Sequence, residues 1–278
     1  PRKVRLDGFS GVLCAIGFGG LIFGLSSIGE AAAGNAAMPP WIPVAVGVLA
    51  LALFAVRQLR LKDDALLDLR TLSRPTFTVA LAVMLTSMLA LFGTIVLLPI
   101  YLQEVLGWTT QQSGLALLPG GMVMALLGYV VGHLYDRVGA RPLIVPGAVL
   151  GAAGLWGYTF LSEDSSAFMV VGLHVLISTG LSMLFSPLMT TALSALPRSL
   201  YAHGSALVST LQQVAGAAGT ALFITLLTVG TASSVAGGLG EVASLMDGVH
   251  LAFLSGALVF TVNVVAVWFV KRPAPNPL

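Results

Sequence analysis

The polar side chains that could do chemistry in this sequence are few and widely spaced. Gly8-Phe9-Ser10-Gly11 has the Gly-x-Ser-Gly form that presents a serine nucleophile, and His174 is a histidine that could serve as its base. Gln212, Gln213 and Asn263 are amides inside long apolar runs, where they can meet a polar ligand or bind neighbouring helices. Asp136, Arg137 and Arg141 share the short stretch Gly132–Pro142, GHLYDRVGARP. Cys14 is the only cysteine and the 4 histidines are scattered, so neither a disulfide nor a metal cluster is expected.

These residues must be held by helices in lipid. Of 278 residues 57% are hydrophobic and 9% charged, and the mean hydropathy is +0.97. Soluble domains carry about 25% charged residues, and a water-soluble fold of this size has too little interior to hide so much apolar surface. A net charge of +2, without a basic patch interleaved with aromatics, gives no sign of a nucleic-acid partner. No cleaved secretory signal is expected, because the first apolar run is one of many and lacks a small-residue cleavage site after it. The chain begins at Pro1 within a basic segment and reads as a fragment of a longer protein.

Apolar runs of about 20 residues cross a hydrocarbon core of ~30 Å as helices. About eight such runs are expected, at 8–29, 41–56, 76–102, 113–132, 142–161, 167–190, 204–229 and 250–270. All 13 basic residues then fall on one side. Arg2, Lys3 and Arg5 precede the first run, while Arg57, Arg60, Lys62, Arg70 and Arg74 follow the second. Arg137 and Arg141 follow the fourth, Arg198 the sixth, and Lys271 and Arg272 the eighth. The opposite loops carry Glu30, Glu104, Glu163, Asp164, Glu241 and Asp247 without a base. The positive-inside rule then places both termini in the cytoplasm.

With that topology Ser10 enters from the cytoplasmic face and His174 from the other. At 1.5 Å per residue they differ by roughly 20 Å in depth, against the ~3 Å of a nucleophile–base hydrogen bond. An intramembrane serine protease is therefore not expected. A channel is not expected either, since no run carries a charged ring or a filter-like motif. His174 can contact protons or substrate in an outward cavity, or simply hydrogen-bond between helices. The second use is favoured because no acidic partner is in sight. Gln212, Gln213 and Asn263 carry the same two readings.

Each part of GHLYDRVGARP has a physical use in a tight turn between the fourth and fifth runs. Gly132 allows close helix approach, Gly139 permits positive φ, and Pro142 suits the first turn of the next helix. Asp136 can accept from backbone donors at a helix N-terminus or pair with an arginine. The segment 57–75 reads as a cytoplasmic linker, partly an interfacial helix with Leu59, Leu66, Leu67 and Leu69 toward lipid. The segment 230–248 reads as a mobile external loop. Gly20 with Gly24, and Gly147 with Gly151, have the small-x-x-x-small spacing of close helix contacts. Pro99, Pro119, Pro146 and Pro187 predict kinks.

The stretch Gly132, Leu134, Asp136, Arg137, Gly139 and Arg141 resembles the G-x-L-a-D-r-x-G-r-k loop of the major facilitator superfamily. Tyr135 and Ala140 depart from that pattern. Gln111–Gly121, Gly204-Ser205-Ala206 and Leu211–Gly219 are similar to segments of its 14-span drug:proton antiporter branch, as is the extra hairpin 8–56. The antiporter signature ending in Gly-Pro, which that branch carries in its first half, is not found in this sequence. The resemblance implies an all-α, polytopic transmembrane bundle: a two-helix hairpin and linker over 1–74, and a six-helix C-terminal transporter half over 75–278 built as inverted 3+3 repeats. It implies that Asp136, Arg137 and Arg141 form a cytoplasmic latch; the candidate substrate contacts remain His174, Gln212, Gln213 and Asn263, read from their polar side chains within apolar runs. It further implies a multi-pass protein of the cytoplasmic membrane that exports amphipathic or cationic drug-like molecules against protons, with a six-helix N-terminal half as partner and no cofactor beyond the proton gradient. A carrier for one metabolite or antibiotic is the alternative.

Overall fold

The computed structural model describes residues 7–32, 38–61 and 68–270. Among them are eight α-helices: α1 (Gly8–Ala32), α2 (Trp41–Leu61), α3 (Pro75–Ile100), α4 (Thr110–Val138), α5 (Arg141–Tyr158), α6 (Ala167–Ser194), α7 (Tyr201–Ala236) and α8 (Glu241–Ala266). Seven are long and apolar enough to cross a membrane. The eighth, α5, has 18 residues and opens on Arg141-Pro142, which lowers its mean hydropathy, yet it is packed between α6 and α8. In lipid every backbone N–H and C=O must be satisfied within the segment, which is why the apolar runs are helical from end to end.

Local chemistry sets several helix ends. Thr109 and Gln112 form a capping box, with Gln112 N donating to Thr109 Oγ1 at 3.2 Å and Thr109 N to Gln112 Oε1 at 2.9 Å. Ser166 caps α6 by accepting from Met169 N. All four prolines named above lie inside helices. After Pro99 the ladder changes to a π-helical segment, Tyr101–Val105, an adjustment that re-satisfies backbone groups displaced by the ring.

Helix α1 packs on α2 and on α7, while α2 contacts chiefly α1. Within the remaining six helices α3 packs on α7 and α4 on α6, while α3 meets α6 and α5 meets α8. This set of contacts maps onto itself when α3, α4 and α5 are exchanged for α6, α7 and α8. The core holds Phe77, Tyr101, Tyr158, Phe223, Phe253 and Phe260, all fully buried. Small residues permit the closest crossings. A Cβ on Gly20 would lie 2.9 Å from the Gly47 Cα, and one on Gly180 would lie 2.5 Å from the Gly151 N. Close backbone approach of this kind supplies packing where lipid offers no hydrophobic driving force between helices.

One expectation needs correction. The segment 230–248 is not a loop: α7 runs to Ala236, α8 starts at Glu241, and only Gly237–Gly240 separates them. Its small residues are contact residues, since a Cβ on Gly230 would come within 2.6 Å of the Gly248 Cα, and Ser234 Oγ donates to Asp247 Oδ2 at 2.7 Å. In the segment 57–75, residues 57–61 extend α2 and Leu69–Ser73 form a 3-10 turn capped by Asp68. Leu66 and Leu67 lie outside the described residues.

Candidate functional site

Helices α3, α4, α6 and α7 line an open concavity of about 410 Å³. Met84, Met88 and Leu91 of α3, Met124 of α4, and Phe185 and Met189 of α6 give it an apolar surface. Ser186 and Gln212 supply its polar atoms. Methionine is unbranched and polarizable, so such a wall adapts to ligands of different shape. Gln212 is half-buried, and its amide makes no hydrogen bond among the described residues. An amide held against an apolar wall with its donors and acceptor unused can bind a polar group of a ligand at little cost.

The other candidate contacts separate from it. Gln213 is exposed, on a different face of α7. Asn263 is 2% exposed and joins helices: Thr86 Oγ1 donates to its Oδ1 at 2.7 Å, and its Nδ2 faces Ser87 Oγ at 3.4 Å. His174 is buried where α4, α5 and α6 meet, with its Nδ1 3.5 Å from Tyr158 Oη and its ring against Gly120. A Cβ on Gly120 would fall 2.3 Å from that ring, so glycine makes the space for it. Of the four proposed contacts, only Gln212 reaches the concavity. The methionines were missed because apolar residues in a membrane span carry no distinguishing pattern, although Met84 and Met88 share one helix face by their i, i+4 spacing.

The second constellation is the α4–α5 junction. Helix α4 continues through the GHLYDRV stretch to Val138, and Gly139 with Ala140 makes the whole connection. Gly139 has φ 80° and ψ −172°, a region open essentially to glycine alone. Its N–H donates to Tyr135 O at 2.8 Å. Gly132, expected at a close crossing, has room to spare: an added Cβ would meet only Ser186 Oγ, at 3.7 Å. Asp136 and Arg137 are exposed on the last turn of α4 and make no hydrogen bond or ion pair among the described residues. Leu134 is likewise exposed. Tyr135 replaces a small residue of the motif and uses its phenol, 3.2 Å from Thr191 Oγ1, to tie α4 to α6. Arg141 donates from Nη2 to Trp268 O at 2.9 Å and from Nε to Val270 O at 3.4 Å. It thus places a cation on the carbonyl end of α8, where the helix dipole favours it.

Ser10 is fully buried, and its hydroxyl donates to Asp7 Oδ2 and accepts from Gln58 Nε2 at 2.8 Å and from Arg57 Nε at 3.2 Å. It has no histidine beside it among these partners and serves to join α1 to α2. Asp7 is held by Arg57 through two contacts of 3.1 Å. The guanidinium, helped by the Ser10 hydroxyl, lowers its carboxyl to a pKa of about 2. In the linker, Arg70 likewise holds Asp68 below the usual carboxylate range, against the opposing effect of burial. No group of three or more metal-ligating side chains occurs among the described residues.

The chain is a polytopic all-α bundle with an open, ligand-sized concavity on four helices, an architecture that suits a membrane transport protein. Residues 1–220 match the family model of the Major Facilitator Superfamily, and the chain belongs to that superfamily. It is 36% identical over 275 residues to the lincomycin resistance protein LmrB of Listeria monocytogenes, covering 97% of this chain and 58% of that protein. The lincomycin resistance protein LmrB of Bacillus subtilis is 34% identical over 276 residues, 97% of this chain and 57% of its own length. A multidrug resistance protein B homolog of Mycobacterium tuberculosis is 33% identical over 221 residues, 78% of this chain and 40% of its own. The chain thus spans less than two thirds of these relatives, and it is a multi-pass membrane protein of a transporter family, not an enzyme.

Proposed function

We propose that this chain is the C-terminal part of a proton-coupled exporter of drug-like molecules. The carrying observation is the methionine-walled concavity with its uncommitted Gln212, on four helices of one bundle. The resistance proteins among its relatives support export of amphipathic antibiotics over uptake. In this reading the six helices from α3 onward form one half, 75–278, of a 14-span carrier. A further six-helix half completes the cavity and supplies the proton-coupling carboxylates, and rocking of the halves alternates access. The hairpin and linker over 1–74 stand beside the bundle and bind no substrate.

The 13 basic residues support cytoplasmic termini and a place in the cytoplasmic membrane. Asp136, Arg137 and Arg141 then lie at the cytoplasmic end, where Asp136 and Arg137 remain available to latch the other half in one access state. Drug efflux from cells expressing the full-length protein tests the reading. Export should collapse in D136N at an unchanged level of protein in the membrane, and it should disappear when the proton gradient is dissipated. Export that survives both would overturn it. Labelling of single cysteines at positions 57 and 137 should be confined to the cytoplasmic side.

A further inference from the structure

The α1–α2 hairpin contains a cleft of about 320 Å³ at its basic end, and the transport reading leaves it unused. Phe9, Leu13, Leu53 and Val56 form its walls, and Arg57 and Arg60 stand at its rim. Leu53 lies one helical turn, ~6 Å, deeper along α2 than Arg57. The cleft therefore grades from cationic at the helix end to apolar toward the membrane interior. It is open to its surroundings: Phe9 is 60% and Leu53 52% exposed.

The two arginines are not equivalent. Arg57 is neutralised by Asp7, and its guanidinium also lies 5.1 Å over the Phe9 ring, which fixes one wall. Arg60 is exposed and has no hydrogen bond or ion pair among the described residues. Among the described residues the rim thus keeps one uncompensated cation. A ligand that fits must be anionic at one end and a hydrocarbon chain at the other.

We propose that this cleft binds one anionic glycerophospholipid, with its phosphodiester against Arg60 and an acyl chain along Leu13, Leu53 and Val56. The surplus cation disfavours a choline headgroup, so the site selects phosphatidylglycerol over phosphatidylcholine. Bound there, the lipid covers the open flank of the hairpin and anchors its basic end at the headgroup level.

Native mass spectrometry of the detergent-purified full-length protein, titrated with the two lipids at matched acyl chains, tests this without any transport assay. Phosphatidylglycerol should be retained several-fold more strongly than phosphatidylcholine. R60Q should weaken its retention about fivefold, the effect of one basic residue near an anionic headgroup, and R60K should restore it. L53W, which fills the cleft with an apolar side chain, should remove the bound lipid while the Asp7–Arg57 contact stays. Glycerol 3-phosphate, a headgroup without chains, should not compete. Equal retention of both lipids, an R60Q protein that binds like the parent, or displacement by glycerol 3-phosphate would overturn the proposal. Lipid retention is read in the absence of substrate, so a failure here is distinct from a failure of the export reading.

Discussion

Arg141, the first residue of α5, donates to the backbone carbonyls of Trp268 and Val270 beyond the end of α8. The junction that carries the family motif is thereby fastened to the far end of the chain. A guanidinium, with several donors in a fixed fork, can bond two separate carbonyls at once. R141K should keep the charge near the helix end and lose one bond, while R141A loses both. Because the contact is largely exposed, the expected cost is about 1 kcal/mol for alanine and less for lysine. Thermal unfolding of the full-length protein in detergent should rank parent, R141K and R141A in that order.

The two motif glycines should respond in opposite ways. Gly139 holds a backbone conformation that an alanine adopts only with strain, so G139A should destabilise by about 1–3 kcal/mol. Gly132 sits within α4 with space beside it, so G132A should be neutral or stabilise by up to about 1 kcal/mol through helix propensity. Melting temperatures of the two variants check this directly, and equal losses would refute the assignment of strain to position 139.

The contrast shows what the sequence made legible. Positive φ at Gly139 was readable because a turn must occur between Asp136 and Pro142, and few residues there permit it. The absence of a close crossing at Gly132 was not readable, since it depends on where α6 places Ser186. The same division holds elsewhere. Helix positions followed from unbroken apolar runs, which lipid forces into helices. The region 230–248 misled because small residues suit a loop and a tight helix crossing equally well. At the candidate site, Gln212 was visible as a polar residue in an apolar run. That Asn263 and His174 turn into the packing, while Gln212 turns to a cavity, depends on helix rotation, which a helix apolar on all sides does not encode. The Thr109–Gln112 capping box was present in the sequence as a T-x-x-Q spacing, and it explains Gln112 without any role in transport.

Asp7 offers a test by pH. Its carboxyl titrates near pH 2 in the folded protein, below the ordinary aspartate value of 3.8. A depressed folded pKa means that the unfolded state binds protons first as pH falls. The contribution of the Asp7–Arg57 contact is therefore whole above about pH 4 and is lost as pH falls toward 2. Carboxyl-carbon NMR of aspartate-labelled protein should find Asp7 among the last to protonate. In R57Q, which removes the main cause of the shift, its titration should move back toward the ordinary range.

Gln212 gives the sharpest test of the cavity. Its neighbour Gln213 has the same chemistry and faces elsewhere, so the pair separates a site effect from a general one. Q212L preserves volume and removes the only amide at the concavity, and Q213L removes an exposed one. If substrates place a polar group against Gln212, its loss removes a hydrogen bond of about 1 kcal/mol. The apparent affinity for such substrates should then fall roughly fivefold in Q212L, with melting temperature unchanged. Substrates lacking that group should be transported as well as before, or better, because the wall becomes wholly apolar. Q213L should transport both classes like the parent. Efflux measured over a range of substrate concentrations distinguishes these outcomes, and equal effects of the two substitutions would remove Gln212 from the binding surface.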